Sequence, residues 1–255
     1  MGEIMKRISF ALAGACALVL AAAPAPARAT ELTVLSSTGM QAVLTDLKPF
    51  YEKETHNKLE TTFLTTNLLK DKIDRGAKFD VLVLIPIPSM VASLVKDHKL
   101  EPKLTPIAKA GLGLAFRPPA PDVSTPEKLK AAFIAAKAVA YTSTGQSGLY
   151  LMKLLGDMGI ADQVKAKGKV IATGQTAAYV ARGEADIAFQ LIPELNAVPG
   201  VQVVPLPASI QEYLKFAGGI SPATQRPKTA AAFLRFLSSP TAIRVIKAKA
   251  MEPGN

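Results

Sequence analysis

Short apolar runs alternate with amphipathic stretches along this chain, which predicts an α/β protein. The alternation is broken once, at Arg117-Pro118-Pro119-Ala120-Pro121, a run that neither a helix nor a central strand accepts, and then restarts. The stretch before the break is too small to complete a core without the helices at the end of the chain. These three observations predict two lobes, each a mostly parallel sheet flanked by helices, with a ligand cleft between them. The economical path leaves lobe one near Phe116, builds lobe two, and returns near Lys215. Lobe one is then 30–116 with 215–255, and lobe two is 117–214.

The first 29 residues read as a cleavable secretory leader. Lys6 and Arg7 precede the apolar run Ile8 to Ala23, and Ala27-Arg28-Ala29 fits the small-x-small cleavage rule, so cleavage is expected before Thr30. The apolar run is too short for a membrane span and ends in Pro24 and Pro26. The expected location is therefore the periplasm. The single Cys, Cys16, lies in the leader, so the remaining chain must fold without a disulfide.

Glu31 to Ser37 reads as the first strand. Met40, Val43, Leu44, Leu47, Phe50 and Tyr51 then share a helical face, with a kink or break expected at Pro49. Leu59 to Thr65 is a strand, Asn67 to Arg75 a helix stopped by Gly76, and Val81 to Ile85 a strand buried on both faces. Met90, Val91, Leu94 and Val95 mark a helix, and Gly113 to Phe116 a strand. In the second unit, helices are expected over Glu127 to Ala136, Gly148 to Met158 and Thr176 to Arg182. Strands are expected over Ala138 to Thr142, Val170 to Thr173, Ile187 to Ile192 and Val201 to Leu206. Leu214 to Ile220 is the returning strand. The closing helical region presents Ala230, Phe233, Leu234 and Leu237 and is interrupted at Ser239-Pro240.

The formal charge is +10, of which the leader carries only a small part through Lys6, Arg7, Arg28 and Glu3. A basic surplus suits anionic solutes or anionic lipid. Nucleic acid is disfavoured, because the lysines are dispersed and no aromatic-interleaved basic stripe exists. No cysteine or histidine cluster, paired carboxylates or Gly-rich phosphate loop supports a metal, a cofactor or nucleophilic catalysis.

In open parallel sheets, ligands bind beyond the carboxyl ends of the strands. Four such ends here are rich in hydroxyls and glycine: Ser36-Ser37-Thr38-Gly39, Thr65-Thr66-Asn67, Thr142 to Gly148 with Ser143 and Ser147, and Thr173-Gly174-Gln175-Thr176. Each opens a helix, where unpaired N–H groups and a positive dipole end favour an anion. Capping alone accounts for any one of these loops; four at one topological position exceed what capping needs. Arg117, just past the first crossover strand, is either a carboxylate clamp or a solvated hinge residue.

These residues resemble the molybdate-binding family of periplasmic solute-binding proteins. The resemblance rests on Leu32-Thr33-Val34-Leu35-Ser36-Ser37, Phe63 to Leu69 leading to Gly76-Ala77-Lys78-Phe79-Asp80-Val81, Gln146-Ser147-Gly148-Leu149-Tyr150, Ala181 to Ile187 and Phe233 to Pro240. It implies a type II periplasmic binding protein fold that closes on an anion and serves an ABC permease and its ATPase. In the family's register, its ligand-binding Ser falls at Gly39 beside Thr38, and Thr66 matches after strand two. The backbone donors fall at Ser147 and near Thr173 to Gln175, and Gln190 or Leu191 stands where the family has Tyr. Those departures point away from molybdate and toward a related oxyanion or a small carboxylate. Ala181 to Gln190 resembles more closely a branch near aconitate isomerase, an exported enzyme on the same fold, which keeps an isomerase as the alternative. Its base would be sought at Tyr141, Tyr150 or Glu194, while His56 and His98 are expected at helix ends far from the cleft. A monomer is expected.

Overall fold

The computed structural model describes residues 30–254; the expected leader lies outside the described residues. The strands join into one mixed sheet running through two lobes. Its order is β2 (Lys58–Leu64), β1 (Glu31–Ser37), β3 (Val81–Leu84), β9 (Tyr213–Ile220), β4 (Thr105–Phe116), β7 (Ile187–Leu191), β5 (Val139–Thr142) and β6 (Gly168–Ile171). β8 (Gln202–Pro205) and β10 (Glu252–Pro253) both lie along β4. β1 is parallel to β2 and β3, and β5 is parallel to β6 and β7. Every pairing of the crossing strands β4 and β9 is antiparallel.

Side-chain alternation on the strands sorts the core into layers. In β3, all four residues are buried: Val81 and Val83 enter one apolar cluster, and Leu82 and Leu84 the other. The second cluster is closed by Leu69 and Ile73 of α2 (Thr66–Asp74) and by Met90 and Leu94 of α3 (Pro88–Lys96). The first is closed by Val43, Leu44, Leu47 and Tyr51 of α1 (Gln41–Thr55), Phe233 of α9 (Pro227–Phe236) and Ile246 of α10 (Pro240–Ala248). Tyr51 meets Phe233 and Phe236 edge-on, with ring centroids 5.1 and 5.3 Å apart. The same cluster continues through Leu112, Leu114 and Phe116 of β4 into Phe133, Val139, Leu151 and Phe189 beyond it. One core therefore threads both lobes.

Several sequence expectations need correction. Helix α1 runs unbroken through Pro49, which lies on its exposed face. The ring faces solvent there, and the apolar face anchored by Leu47 and Tyr51 holds the helix across the lost N–H bond. The strand expected over Gly113 to Phe116 is in fact the twelve-residue β4. Pro106, Lys109 and Gly111 concealed its first half, where the register with β9 shifts between Pro106 and Ala108. Gly113 is needed where β8 and α8 (Ile192–Asn196) press on the strand, since a Cβ there would lie 2.9 Å from both the Val204 carbonyl and Ile192. Short α6 (Ala161–Lys165) and two-residue β10 carry too few residues to show a period and were not foreseen.

β4 is the hinge of the topology. Thr105 to Gly111 pairs with β9, whereas Leu112 to Phe116 pairs with β7 on one edge and β8 on the other. The carboxyl ends of β1 and β2 on one side, and of β5 and β7 on the other, are thereby turned toward the same place.

Replacing Pro49 by Ala restores an N–H to the exposed face of α1 without removing buried surface. Net of the entropy the unfolded chain regains, the variant should be about 1–2 kcal/mol more stable than the native protein in urea unfolding. A lower midpoint would show that the helix depends on the proline ring.

Candidate functional site

The facing strand ends enclose a cavity of about 20 Å³, lined by Ser37, Thr38, Thr65, Thr66, Ile85, Thr142, Gly145, Gln146, Ser147, Gln190, Leu191 and Glu194. Ser37 and Thr38 follow β1, and Thr65 and Thr66 open α2. Gly145 to Ser147 open α5 (Gln146–Asp157), and Gln190 to Glu194 span the join of β7 and α8. The lobes touch at its mouth. Thr144 donates its hydroxyl to the Ala172 carbonyl and accepts from Thr65 Oγ1 at 2.8 Å, while Asn67 Nδ2 donates to the Thr144 carbonyl at 3.1 Å.

The hydroxyls around this cavity do not cap helices. Away from it, Thr125 caps α4 (Pro126–Ala135) by accepting from Lys128 N at 3.3 Å, and Ser239 caps α10 by accepting from Ala242 N at 3.2 Å. At the cavity, Ser37 before the 3-10 turn Thr38–Met40 and Thr65 before α2 make no such bond, α5 starts from Gly145, and behind Gln190 Thr176 before α7 (Ala177–Ala181) makes none either. The first N–H groups of α2 and α5 therefore keep their donor capacity beside the cavity. Thr142 Oγ1 and Gln146 Nε2 are buried there without a protein partner. Gly148 lets the α5 start close over β5, because a Cβ would fall 1.7 Å from the Thr142 carbonyl oxygen.

Among the described residues, no lysine or arginine lines the cavity, and its only ionisable group is Glu194. Burial pushes the Glu194 carboxyl up to about 7, against the opposing pull of hydrogen bonds from Thr38, the Leu191 N–H and Gln190. Glu194 as a whole is only partly buried. Glu194 and Thr38 line the cavity and also an adjoining groove of about 430 Å³, bordered by Gln41, Thr45, Asp46, Gln175, Asn196 and Lys249.

Six of the residues expected from sequence meet at the cavity: Ser37, Thr38, Thr65, Thr66, Ser147 and Gln190. Gln190 spends its amide on the neighbouring loop, accepting from Thr176 N at 3.0 Å and donating to the Gly174 carbonyl at 2.9 Å. Asn67 lies at the bridge between lobes. Ser36 is buried and donates to the Ser37 carbonyl at 3.2 Å. Gly39 packs where a Cβ would meet Phe216 and Leu191 within 2.7 Å, so its role is close packing beside the groove. Ser143 and Thr173 are exposed and do not line the cavity, and exposed Gln175 lines only the groove.

Arg117 is a correction. β4 runs antiparallel to β7, so its last residues lie beside Ala188, at the end of β7 opposite the cavity. Arg117 is half exposed there, 3.7 Å from Asp186, in a separate groove with Pro121 and Lys137. Tyr141 and Tyr150 do not line the cavity either. Burial raises both phenols further above neutrality, and Tyr150 donates to the Ile210 carbonyl at 2.6 Å. A larger concavity of about 440 Å³ lies at the amino ends of β1 and β3. Its Asp80 is spent on Thr33 N at 2.9 Å and on Thr224, and its Lys99 pairs with Asp74 at 3.1 Å. Ile85 is the lining residue that sequence reasoning did not bring to the cleft; Thr142, Gly145 and Gln146 were expected there only as part of their loop, Leu191 only as an alternative to Gln190, and Glu194 only as a candidate base. The signal for Glu194 was an acid in the first turn of a helix that begins at a strand's carboxyl end.

A carboxyl whose pKa rises on folding stabilises the protein fully below the unfolded value near 4.5 and loses that contribution as pH rises through about 7. Glu194→Gln should therefore gain stability over the native protein at pH 8, by about 1–3 kcal/mol, and gain none at pH 4. Thermal melts at the two pH values check this; equal melting shifts at both would remove the burial argument. Gly148→Ala should displace the α5 start and lower the melting temperature at either pH.

Comparison with known proteins agrees with this architecture. Residues 32–252 match the family model described as bacterial extracellular solute-binding protein. An aconitate isomerase from a Pseudomonas species is 32% identical over 252 residues, covering 93% of this chain and 94% of that protein. The periplasmic molybdate-binding protein of Azotobacter vinelandii superposes with a TM-score of 0.74 at 20% identity, over 86% of this chain and 98% of that one. A sulfate-binding protein of Mycobacterium tuberculosis H37Rv superposes at 0.72 and 15% identity, over 88% and 87%. With two lobes joined through crossing strands and a cavity at the facing strand ends, the chain belongs to the bacterial extracellular solute-binding protein family.

Proposed function

We propose that the protein binds a small anion, an oxyanion or a small carboxylate, between its lobes as the solute-binding component of an ABC importer. The observation that carries this is the set of unspent donors at the cavity: uncapped starts of α2 and α5, and hydroxyls of Ser37, Thr66 and Ser147. Dipoles fixed in a dry cleft hold an anion without a cationic side chain. On this reading lobe one is 30–116 with 215–255 and lobe two is 117–214. The change of β4 partners between Gly111 and Leu112 supports a hinge in the crossing strands. Lobe one binds first through Ser37 and Thr66, and lobe two closes with Ser147. The chain then acts as an exported periplasmic monomer that presents its ligand to an inner-membrane permease. Among the described residues, no helix is long and apolar enough to cross a membrane.

A second reading, an isomerase of an unsaturated tricarboxylate, is favoured by Glu194 and by the aconitate isomerase relative. Shifting a double bond along three carbons removes a proton from the saturated carbon and returns one to the far alkene carbon, with no net redox change. A carboxyl near neutrality inside the cavity is a suitable base for that shuttle.

A thermal-shift panel of molybdate, tungstate, sulfate, phosphate, citrate and the aconitate isomers, followed by proton NMR in D₂O, separates the readings. Stabilisation without chemical change supports the binding protein, and deuterium entering aconitate supports the isomerase. Thr66→Ala combined with Ser147→Ala removes two donors to a charged ligand. It should weaken binding of the anion that stabilises the native protein by about 10²–10⁴-fold. Undiminished affinity would place the site elsewhere.

A further inference from the structure

We propose that Glu194 enters the ligand complex as the neutral carboxylic acid and donates its proton in a hydrogen bond to the anion, so that each anion bound carries one proton into the protein. The inference rests on the anion cleft proposed above and concerns how that cleft tolerates its own acid. Glu194 lines the same narrow cavity as Thr66 and Ser147, so a ligand held by those donors sits beside its carboxyl. Its other lining residues are hydroxyl, amide, glycine or apolar, and none supplies a positive side chain to offset a carboxylate. An ionised Glu194 and an anion would then be two like charges at close range in a dry site, which forces one of them to take a proton. A fully ionised oxyanion accepts hydrogen bonds only, and the neutral acid supplies the donor that matches it.

The surroundings of Glu194 make it the group that titrates. α8 packs on β4, β7 and β8, and neither β7 nor β8 contains an ionisable residue. On β4, Lys109 is held by Glu252 at 2.8 Å, and Gly113 faces Ile192 and Leu195. From the side of α1 and α10, the groove presents Asp46 and Lys249, paired to one another at 2.6 Å. The 3-10 turn contributes Thr38, which is uncharged. Because Glu194 lines the groove as well as the cavity, it can exchange its proton with solvent while the lobes are in contact. Its carboxyl stands at about 7 before any anion arrives, and a neighbouring negative charge moves it further up. The free protein is therefore deprotonated above pH 7 and the complex protonated, so affinity falls as pH rises.

The test is titration calorimetry of residues 30–255 between pH 6.5 and 9, with trans-aconitate and with sulfate and molybdate, whose own charge is constant over that range. Binding should weaken by about tenfold per pH unit above pH 7, and heats measured in buffers of different ionisation enthalpy should report about one proton taken up near pH 8. Glu194→Gln should flatten the pH dependence and abolish the proton uptake, whatever its absolute affinity. Asp46→Asn should leave the slope in place. Binding that is independent of pH in the native protein, or a slope that survives in Glu194→Gln, overturns the proposal and leaves the anion cleft standing. If none of the probes binds at pH 6.5, the cleft reading falls and the proposal falls with it.

Discussion

The rest of the molecule depends on the sharing of one strand. β4 gives its first half to β9 and its second half to β7 and β8, so a single run of backbone belongs to the sheets of both lobes. Its apolar side chains Leu112, Leu114 and Phe116 lie in the same cluster as α1 and α9 on one side and β5 and β7 on the other. The lobes are thus coupled by hydrogen bonds and by packing at once, which fixes how the strand ends face each other. The cavity follows from that constraint. Parallel strands release their helices at one end, and two parallel groups set face to face deliver five such ends, those of β1, β2, β3, β5 and β7, to one volume.

The chemistry of the cavity is set by what its polar groups are not doing. Thr125 and Ser239 show that hydroxyls in this protein cap helices where nothing else is required of them. At the cleft, Thr65 bridges to Thr144, Thr176 is taken up by Gln190, and the starts of α2 and α5 keep their donors. Leaving donors unspent forgoes stability of the order a cap provides, about 1 kcal/mol each, which is the kind of sacrifice expected at a site that must receive a partner. Glycine serves the same end, since Gly145 and Gly148 let α5 begin directly against Thr142.

Much of this was legible in the sequence because periodicity and punctuation carry over to structure wherever burial is simple. β1 has the span its apolar pattern implies, and Gly76 and Gly183 take positive φ where the helices stop. The histidines behave likewise: His56 and His98 sit in left-handed conformation just past α1 and α3, away from the cavity. β4 was only half visible, because a strand shared between sheets needs proline, glycine and a register shift that read as loop. Arg117 was misplaced for a related reason. The position just past a crossover strand says nothing of which end of the sheet it reaches, and the antiparallel run of β4 against β7 takes it to the far end. Glu194 was visible as a cleft-side acid, but its state depends on burial that no local pattern encodes.

If the proposed anion binding holds, the absence of lysine and arginine among the described residues lining the cavity, in a chain of net charge +10, divides the handling of the anion into two stages. The diffuse basic exterior acts at long range and is damped by ionic strength, so it governs how often an anion arrives. The backbone dipoles inside act only at contact and are shielded from mobile ions, so they govern how long it stays. Salt would then slow capture while leaving residence time nearly untouched.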